Sequence, residues 1–373
     1  RLTYLSYDAF FLRPKKIEQS RNKMFKNLFF LIFIWILIPS QAISQEIQEV
    51  VVLEKKLTSL SGWSNNQSIS SIDEKELKDL DAQHPKQIFR RSPGIWISRG
   101  SGQEHLTAIR SPVLTGPGAC GSFLVLEDGI PVRPTGFCNV NGLFETFFEM
   151  ASNIETIRGP ASARYGANAM HGVINILSKP INSENMIYAN LGPNNYKNFK
   201  IRAGNKQDWS FGGSFVNNDG FRDQSGYDQQ KVKMQSKFTI ASWNASMRAT
   251  FTNLNQETAG YVNGLNSYKN ESFSNQNFNP DAYRDAKSQR ISLILTKEIN
   301  NSINSITPYI RNNDMKFFQH FLPGTPLEEN NHISAGVIFQ SITNFKNFNF
   351  IRGLQVDLAL SLIHISEPTR LRR

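Results

Sequence analysis

The chain has 373 residues, of which 39% are hydrophobic, 11% aromatic and 19% charged. Those fractions exclude global disorder, collagen and coiled coil. The net charge of +10 gathers at the ends: between Arg1 and Lys23 six basic side chains face only Asp8 and Glu18, Lys26 follows, and the last thirteen residues set three arginines against Glu367. The +3 left to the body forms no basic stripe with interleaved aromatics, so nucleic acid is not an expected partner.

From Met24 the chain reads as a secretory leader over residues 24–44. Lys26 supplies a short basic start, eleven apolar residues run from Leu28 to Ile38, and Pro39 precedes the small residues around Ala42. Eleven apolar residues fall short of the roughly 18 that a spanning helix needs. Residues 1–23 lie ahead of this leader, read as upstream sequence translated in frame, and are left out of the fold. Export places the mature chain in an oxidising compartment, where its only two cysteines, Cys120 and Cys138, are expected to form a disulfide. Closing that loop would stabilise the fold by roughly 3 kcal/mol; the alternative is two separate buried thiols.

The mature chain changes texture near Pro180. Before it, Asp73 to Leu80 has helical charge spacing, and Ser122 to Leu126 and Val173 to Leu177 are short strand-like apolar runs, which together predict a compact α/β unit up to about Lys179. After it, Trp209, Phe211, Gly213 and Phe215 alternate with Ser210, Gly212, Ser214 and Val216. Val232, Met234, Phe238 and Ile240 alternate with Lys233, Gln235, Lys237 and Thr239, and Ala245, Met247, Ala249 and Phe251 with Ser246, Arg248, Thr250 and Thr252. The last two runs predict a hairpin around Ser242-Trp243-Asn244. Alternation over about ten residues is the pattern of transmembrane β-strands, apolar to lipid and polar to a lumen, although a soluble β-sandwich alternates in the same way. Long polar loops are expected at Asn217 to Gln229 and Asn253 to Ser288. Nine or ten strands fit before Leu362, fewer than the roughly 22 of a plugged transporter barrel.

Catalytic and metal motifs are weak. The string Gly116-Pro117-Gly118-Ala119-Cys120-Gly121 has dinucleotide-loop spacing, but it precedes a strand-like run ending in Glu127-Asp128-Gly129 instead of opening a helix. The six histidines lack paired ligand spacing. Glu127 and Asp128 are adjacent, which suits a solvated turn better than an acid–base pair. No catalytic residue, cofactor or metal ligand is expected, and the chain is not read as an enzyme.

Several motifs in order carry a resemblance. Ile154 to Lys179 (IETIRGPASARYGANAMHGVINILSK) resembles the end of the plug domain of TonB-dependent outer-membrane receptors. Glu49-Val50-Val51-Val52 resembles the family's TonB box, Ser92-Pro93-Gly94-Ile95 its Pro-Gly-Val turn, Ile109-Arg110-Ser111 its Ile-Arg-Gly, and Leu126-Glu127-Asp128-Gly129-Ile130-Pro131 its Asp-Gly-Val-Pro. Beyond Pro180 the likeness is one of texture.

The resemblance implies an α/β plug domain followed by an incomplete antiparallel transmembrane β-barrel. Residues 45–55 form the TonB box segment, 56–180 the plug and 181–360 the first part of the barrel. It implies a receptor exported to the bacterial outer membrane, surrounded by lipid and coupled to TonB. Such a receptor imports a scarce nutrient actively, with a ferric siderophore as the default substrate; a passive channel or surface-binding β protein is the alternative. An extended β-branched run at Glu49, Val50, Val51 and Val52 would add as a strand to a sheet edge of TonB. Arg110 and Arg158 would lie between plug and barrel wall, paired with carboxylates. Gly159, Gly166 and Gly172 would shape the backbone. Ser111 departs from the family's glycine. The Cys120 and Cys138 pair is also outside the general pattern and is expected to pin a loop that brings Phe123 and Phe137 to the ligand, with Tyr261, Tyr268 and Phe273 as further aromatic contacts. Residues 361–373 break the alternation and read as an artefactual tail on a truncated gene product.

Overall fold

The computed structural model describes residues 68–114, 120–320 and 322–366. The leader, the Glu49 to Val52 segment and the chain beyond Ser366 lie outside the described residues.

The N-terminal domain runs through β1 (Ile69–Asp73), α1 (Glu74–Leu80), α2 (Pro85–Phe89), β2 (Ile95–Arg99), β3 (His105–Ile109), β4 (Phe123–Glu127), β5 (Ile130–Pro131), β6 (Ala151–Arg158), α3 (Ser162–Tyr165) and β7 (Gly172–Ser178). Helix α1 begins where Asp73 accepts a hydrogen bond from the Glu76 amide at 2.9 Å, with two glutamates in its first turn to meet the positive end of the helix. A capping box starts α2: the His84 ring accepts from the Lys86 amide, the Gln87 side chain accepts from the His84 amide, and Pro85 takes the first helical position.

Strands β1, β6, β7, β4 and β5 form one sheet in that order, with β4 and β7 parallel. Each of β4 and β7 is buried along almost its whole length, and Phe123, Val125, Ile174 and Ile176 join Ile88 and Phe89 of α2 in the core. Phe123, expected at the ligand, is 1% exposed in this core, because β4 is the inner strand of a sheet covered on both faces. A separate hairpin pairs β2 with β3.

The wall is an antiparallel meander of nine strands: β8 (Met186–Gly192), β9 (Tyr196–Gly204), β10 (Trp209–Asn218), β11 (Tyr227–Ile240), β12 (Trp243–Glu257), β13 (Tyr283–Ile299), β14 (Ser302–Phe318), β15 (Leu327–Asn344) and β16 (Asn349–Ser366). The sheet is open, with β8 and β16 at its two edges. Alternation is kept: Trp209 and Phe215 are exposed on the outer face, while Ser210 and Ser214 are buried on the inner one.

Ile240 pairs with Trp243, so the β11 to β12 turn is Ala241-Ser242, one residue earlier than the sequence suggests. Both turn residues take positive φ, 46° and 64°, the mirror-image turn that matches strand twist. At the opposite end of the strands the connections are longer but shorter than expected, residues 219–226 and 258–282, because β11, β12 and β13 continue through polar residues that still find ladder partners. Residues 361–366, read as part of a tail, continue β16 in register with β15 as far as the Leu327 to Ser366 pair.

Gly172 is the glycine whose replacement the N-terminal sheet tolerates least. A Cβ there would collide with the Ile157 carbonyl oxygen and stand 2.8 Å from Ile109, and the carbonyl cannot yield without breaking the sheet. Gly172→Ala is expected to destabilise this domain by about 1–3 kcal/mol, read as a lower denaturant midpoint with an unchanged slope.

Candidate functional site

The N-terminal domain meets the wall through carboxylates. Asp128 and Gly129 make the two-residue turn between β4 and β5, with φ of 54° and 79°, and this turn aims Glu127 and Asp128 at the inner face of the sheet. Glu127 accepts from Arg290 of β13 at 2.6 Å and from the Phe147 amide at 3.1 Å, with Lys233 of β11 at 3.4 Å. Asp128 accepts from Lys233 at 2.7 Å and from the Ser178 amide and hydroxyl at 2.8 and 2.6 Å, and forms an ion pair with Arg248 of β12 at 2.9 Å. Both carboxylates are 5% exposed. The solvated turn suggested by the sequence is therefore a buried junction: the turn points into the lumen, where adjacent carboxylates can face cations from different strands.

Further pairs repeat this polarity. Lys231 of β11 reaches Glu149 at 2.6 Å and the Thr146 carbonyl at 2.8 Å. Arg284 of β13 lies 3.2 Å from Glu104, and Lys200 of β9 lies 2.9 Å from Asp81, which also accepts from Tyr188 and Asn190 of β8. Arg311 of β14 donates to the Pro131 carbonyl at 2.8 Å. Glu145, ion-paired with Arg133 inside the domain, also accepts from Asn313 of β14 at 2.8 Å. Acids stand on the N-terminal domain and bases on the wall, the reverse of the polarity expected for Arg110 and Arg158.

Those two arginines bond within their own domain. Arg110 donates to the Arg158 carbonyl and the Ser68 hydroxyl, and Arg158 to the Pro93 carbonyl. The structure brings them together around Gly94, where an added Cβ would stand 3.3 Å from Arg110 and 3.6 Å from Arg158. Among the described residues neither bonds a wall strand. Arg110 itself takes the left-handed conformation, with φ of 46°, so Ser111 does not need the freedom of the glycine it replaces.

Cys120 and Cys138 are disulfide-bonded, with Cα atoms 4.2 Å apart. The Cys120 carbonyl accepts from the Asn139 and Val140 amides, and the Cys138 carbonyl from Arg133. Phe137 packs on His332 of β15 with ring centroids 4.4 Å apart, which places it against the wall. Tyr261, Tyr268 and Phe273 sit in the 258–282 connection, 79%, 67% and 43% exposed. The fold also joins two histidines far apart in sequence: His84 and His105 lie edge to face at 5.9 Å. Among the described residues no group of three or more His, Cys, Asp or Glu is arranged to hold a metal.

Residues 63–173 match the family model of the TonB-dependent receptor plug domain. The chain carries a TonB-dependent receptor plug. The plug followed by an antiparallel wall is the fold of receptors of known structure. The ferric yersiniabactin uptake receptor of Yersinia pestis is 16% identical, with a TM-score of 0.63 over 83% of this chain and 51% of that one. A siderophore receptor from Acinetobacter baumannii is 14% identical, with a TM-score of 0.60 over 82% and 48%. A copper transporter is 14% identical, with a TM-score of 0.57 over 77% and 44%. The chain thus spans about half the length of the structures it matches.

Burial opposes ionisation of Glu127, but Lys233 and Arg290 outweigh it and hold the carboxyl down at about 2; Asp128 is lowered in the same way by Arg248 and Lys233. Burial lowers His84 to about 3 and His105 to about 4, so both are neutral in the plug. All four shifts act in one direction. Histidines that stay neutral when folded lose stability as pH falls below their ordinary value of 6.5, and the depressed carboxylates lose theirs as pH falls from about 4.5 towards 2. Near-ultraviolet circular dichroism between pH 7 and 2 is expected to show plug packing lost in two stages, the first with a midpoint that moves down in His105→Gln. Replacing both cysteines by serine is expected to cost roughly 3 kcal/mol, read as a lower urea midpoint under oxidising conditions only.

Proposed function

We propose that this chain is the plug and first wall strands of a TonB-dependent outer-membrane receptor that binds a scarce nutrient at the cell surface and imports it actively. The observation that carries the reading is the seating of the plug: buried carboxylates on one body meet buried cations on the other. Such a junction holds firmly while both partners are present and is costly to leave half-broken. A plug fixed in this way closes the lumen at rest and opens only when work is done on it. Glu49, Val50, Val51 and Val52 are the handle for that work, adding as an edge strand to TonB.

A ferric siderophore is the proposed substrate, supported by the receptors for ferric yersiniabactin and other siderophores among the similar structures. Binding falls to the exposed aromatics of the 258–282 connection and to the loop pinned by Cys120 and Cys138, where Phe137 stands. Arg110 and Arg158 keep a role at the plug to barrel boundary, towards carboxylates on wall strands other than the nine described. The leader at 24–44 delivers the receptor to the outer membrane.

The test is deletion of residues 49–52 in the full-length receptor, followed through uptake and surface binding of an iron-loaded siderophore. Energised uptake is expected to fall to the level of a strain lacking TonB while surface binding is unchanged. Uptake that persists in the deletion would identify a passive channel instead.

A further inference from the structure

The wall's inner face carries more positive charge than a structural lining needs. Lys231, Lys233, Arg284, Arg290 and Arg311 are each 7% exposed or less, and they come from three neighbouring strands, β11, β13 and β14, with Arg248 of β12 between them. Register places them on one face: Lys233 pairs across from Thr250, Thr250 from Arg290, and Arg290 from Arg311. Of the wall's own carboxylates near this band, Asp357 is held by Arg311 at 2.5 to 2.6 Å, and Glu328 is bonded by Gln319 and Asn330 close to the 319–326 connection. Lys231, Lys233, Arg248, Arg284 and Arg290 all have their carboxylate partners on the plug: Glu149, Glu127, Asp128 and Glu104.

The plug carboxylates are therefore the resting counter-ions of a cationic band. Any movement of the plug that opens a path withdraws those carboxylates and leaves the cations facing the opening. A buried cation without a partner is strongly unfavourable, so the opened state favours whatever anion enters. We infer that this band makes the opened path anion-selective, and that the transported molecule is an anionic chelate which takes the place of Glu127 and Asp128 beside Lys233, Arg248 and Arg290 as it passes. The inference rests on the transport reading above and adds the charge of the substrate and the residues that select it. Rings of fixed charge set the sign of ion selectivity in pores by the same physics.

The test uses the full-length receptor in planar lipid bilayers, with the plug loosened by urea so that the barrel conducts, and reads the chloride to potassium permeability ratio in a potassium chloride gradient. The ratio is expected to lie above one and to fall about twofold or more when Lys233→Gln and Arg290→Gln are combined, because neutralised ring charges relax selectivity. Arg290→Lys keeps the charge and is expected to keep the ratio. Lys287→Gln, on the outer face of β13, is the control that leaves it unmoved. A conducting pore whose ratio does not change in the double variant overturns the inference and leaves the receptor reading standing. A receptor that inserts but never conducts overturns both, since a wall that closes no lumen has no path to select.

Discussion

Two neighbouring carboxylates, Glu127 and Asp128, buried among three cations from three wall strands, are the constraint on which the rest of the arrangement depends. Their turn is the point where a hydrophobic α/β sheet and an amphipathic β-wall become one body. The plug's apolar core is built on the same β4 that delivers the turn, so Phe123 and Val125 fix the position of the charges that follow them by two to five residues. A shift of β4 by one residue would exchange its faces and turn Glu127 away from Arg290.

The energetic character of this junction suits a removable part. Buried ion pairs are a weak source of net stability compared with apolar packing, but removing one partner strands the other in a poorly solvated place. A purely apolar plug would be held by area alone and would yield gradually. A plug held by paired charges, with the Thr146 and Glu145 carbonyls sharing two of the same cations, Lys231 and Arg290, resists small displacements and yields when several pairs part together. The polarity has a second consequence: whichever body leaves takes its charge with it, and here the cations stay with the wall.

How much of this could be read beforehand follows from the range of the forces involved. Local signals did well. The helical charge spacing from Asp73 to Leu80, the apolar runs of β4 and β7, the alternation of β10 to β12 and the count of nine or ten strands all rest on spacings within one element, and the ordered motifs from Pro93 to Lys179 pointed to the plug. Signals that depend on what stands opposite were misread. Glu127 and Asp128 look like an ordinary Asp-Gly turn until the lumen surrounds them. Arg110 and Arg158 are a separate case: among the described residues they bond plug carbonyls and Ser68, and their interface role belongs to the proposed function. Phe123 looked accessible beside a glycine-rich loop and is instead central to the sheet. The one available hint was the wall pattern itself: Lys231, Lys233, Arg248 and Arg290 occupy polar positions of the strands that flank the turn, and a lumen-facing row of cations asks for acids on whatever fills the lumen.

The most direct test of this account is a double-mutant cycle on plug seating in the full-length protein, with Glu127→Gln, Arg290→Gln and the pair combined, read as the urea concentration that releases the plug while the barrel stays folded. The account predicts that each single change weakens seating by about 3–5 kcal/mol and that the combined change costs clearly less than their sum, by about 1.5 kcal/mol or more. Strictly additive losses, or single variants that release the plug at the wild-type concentration, would show that something other than these charges holds it.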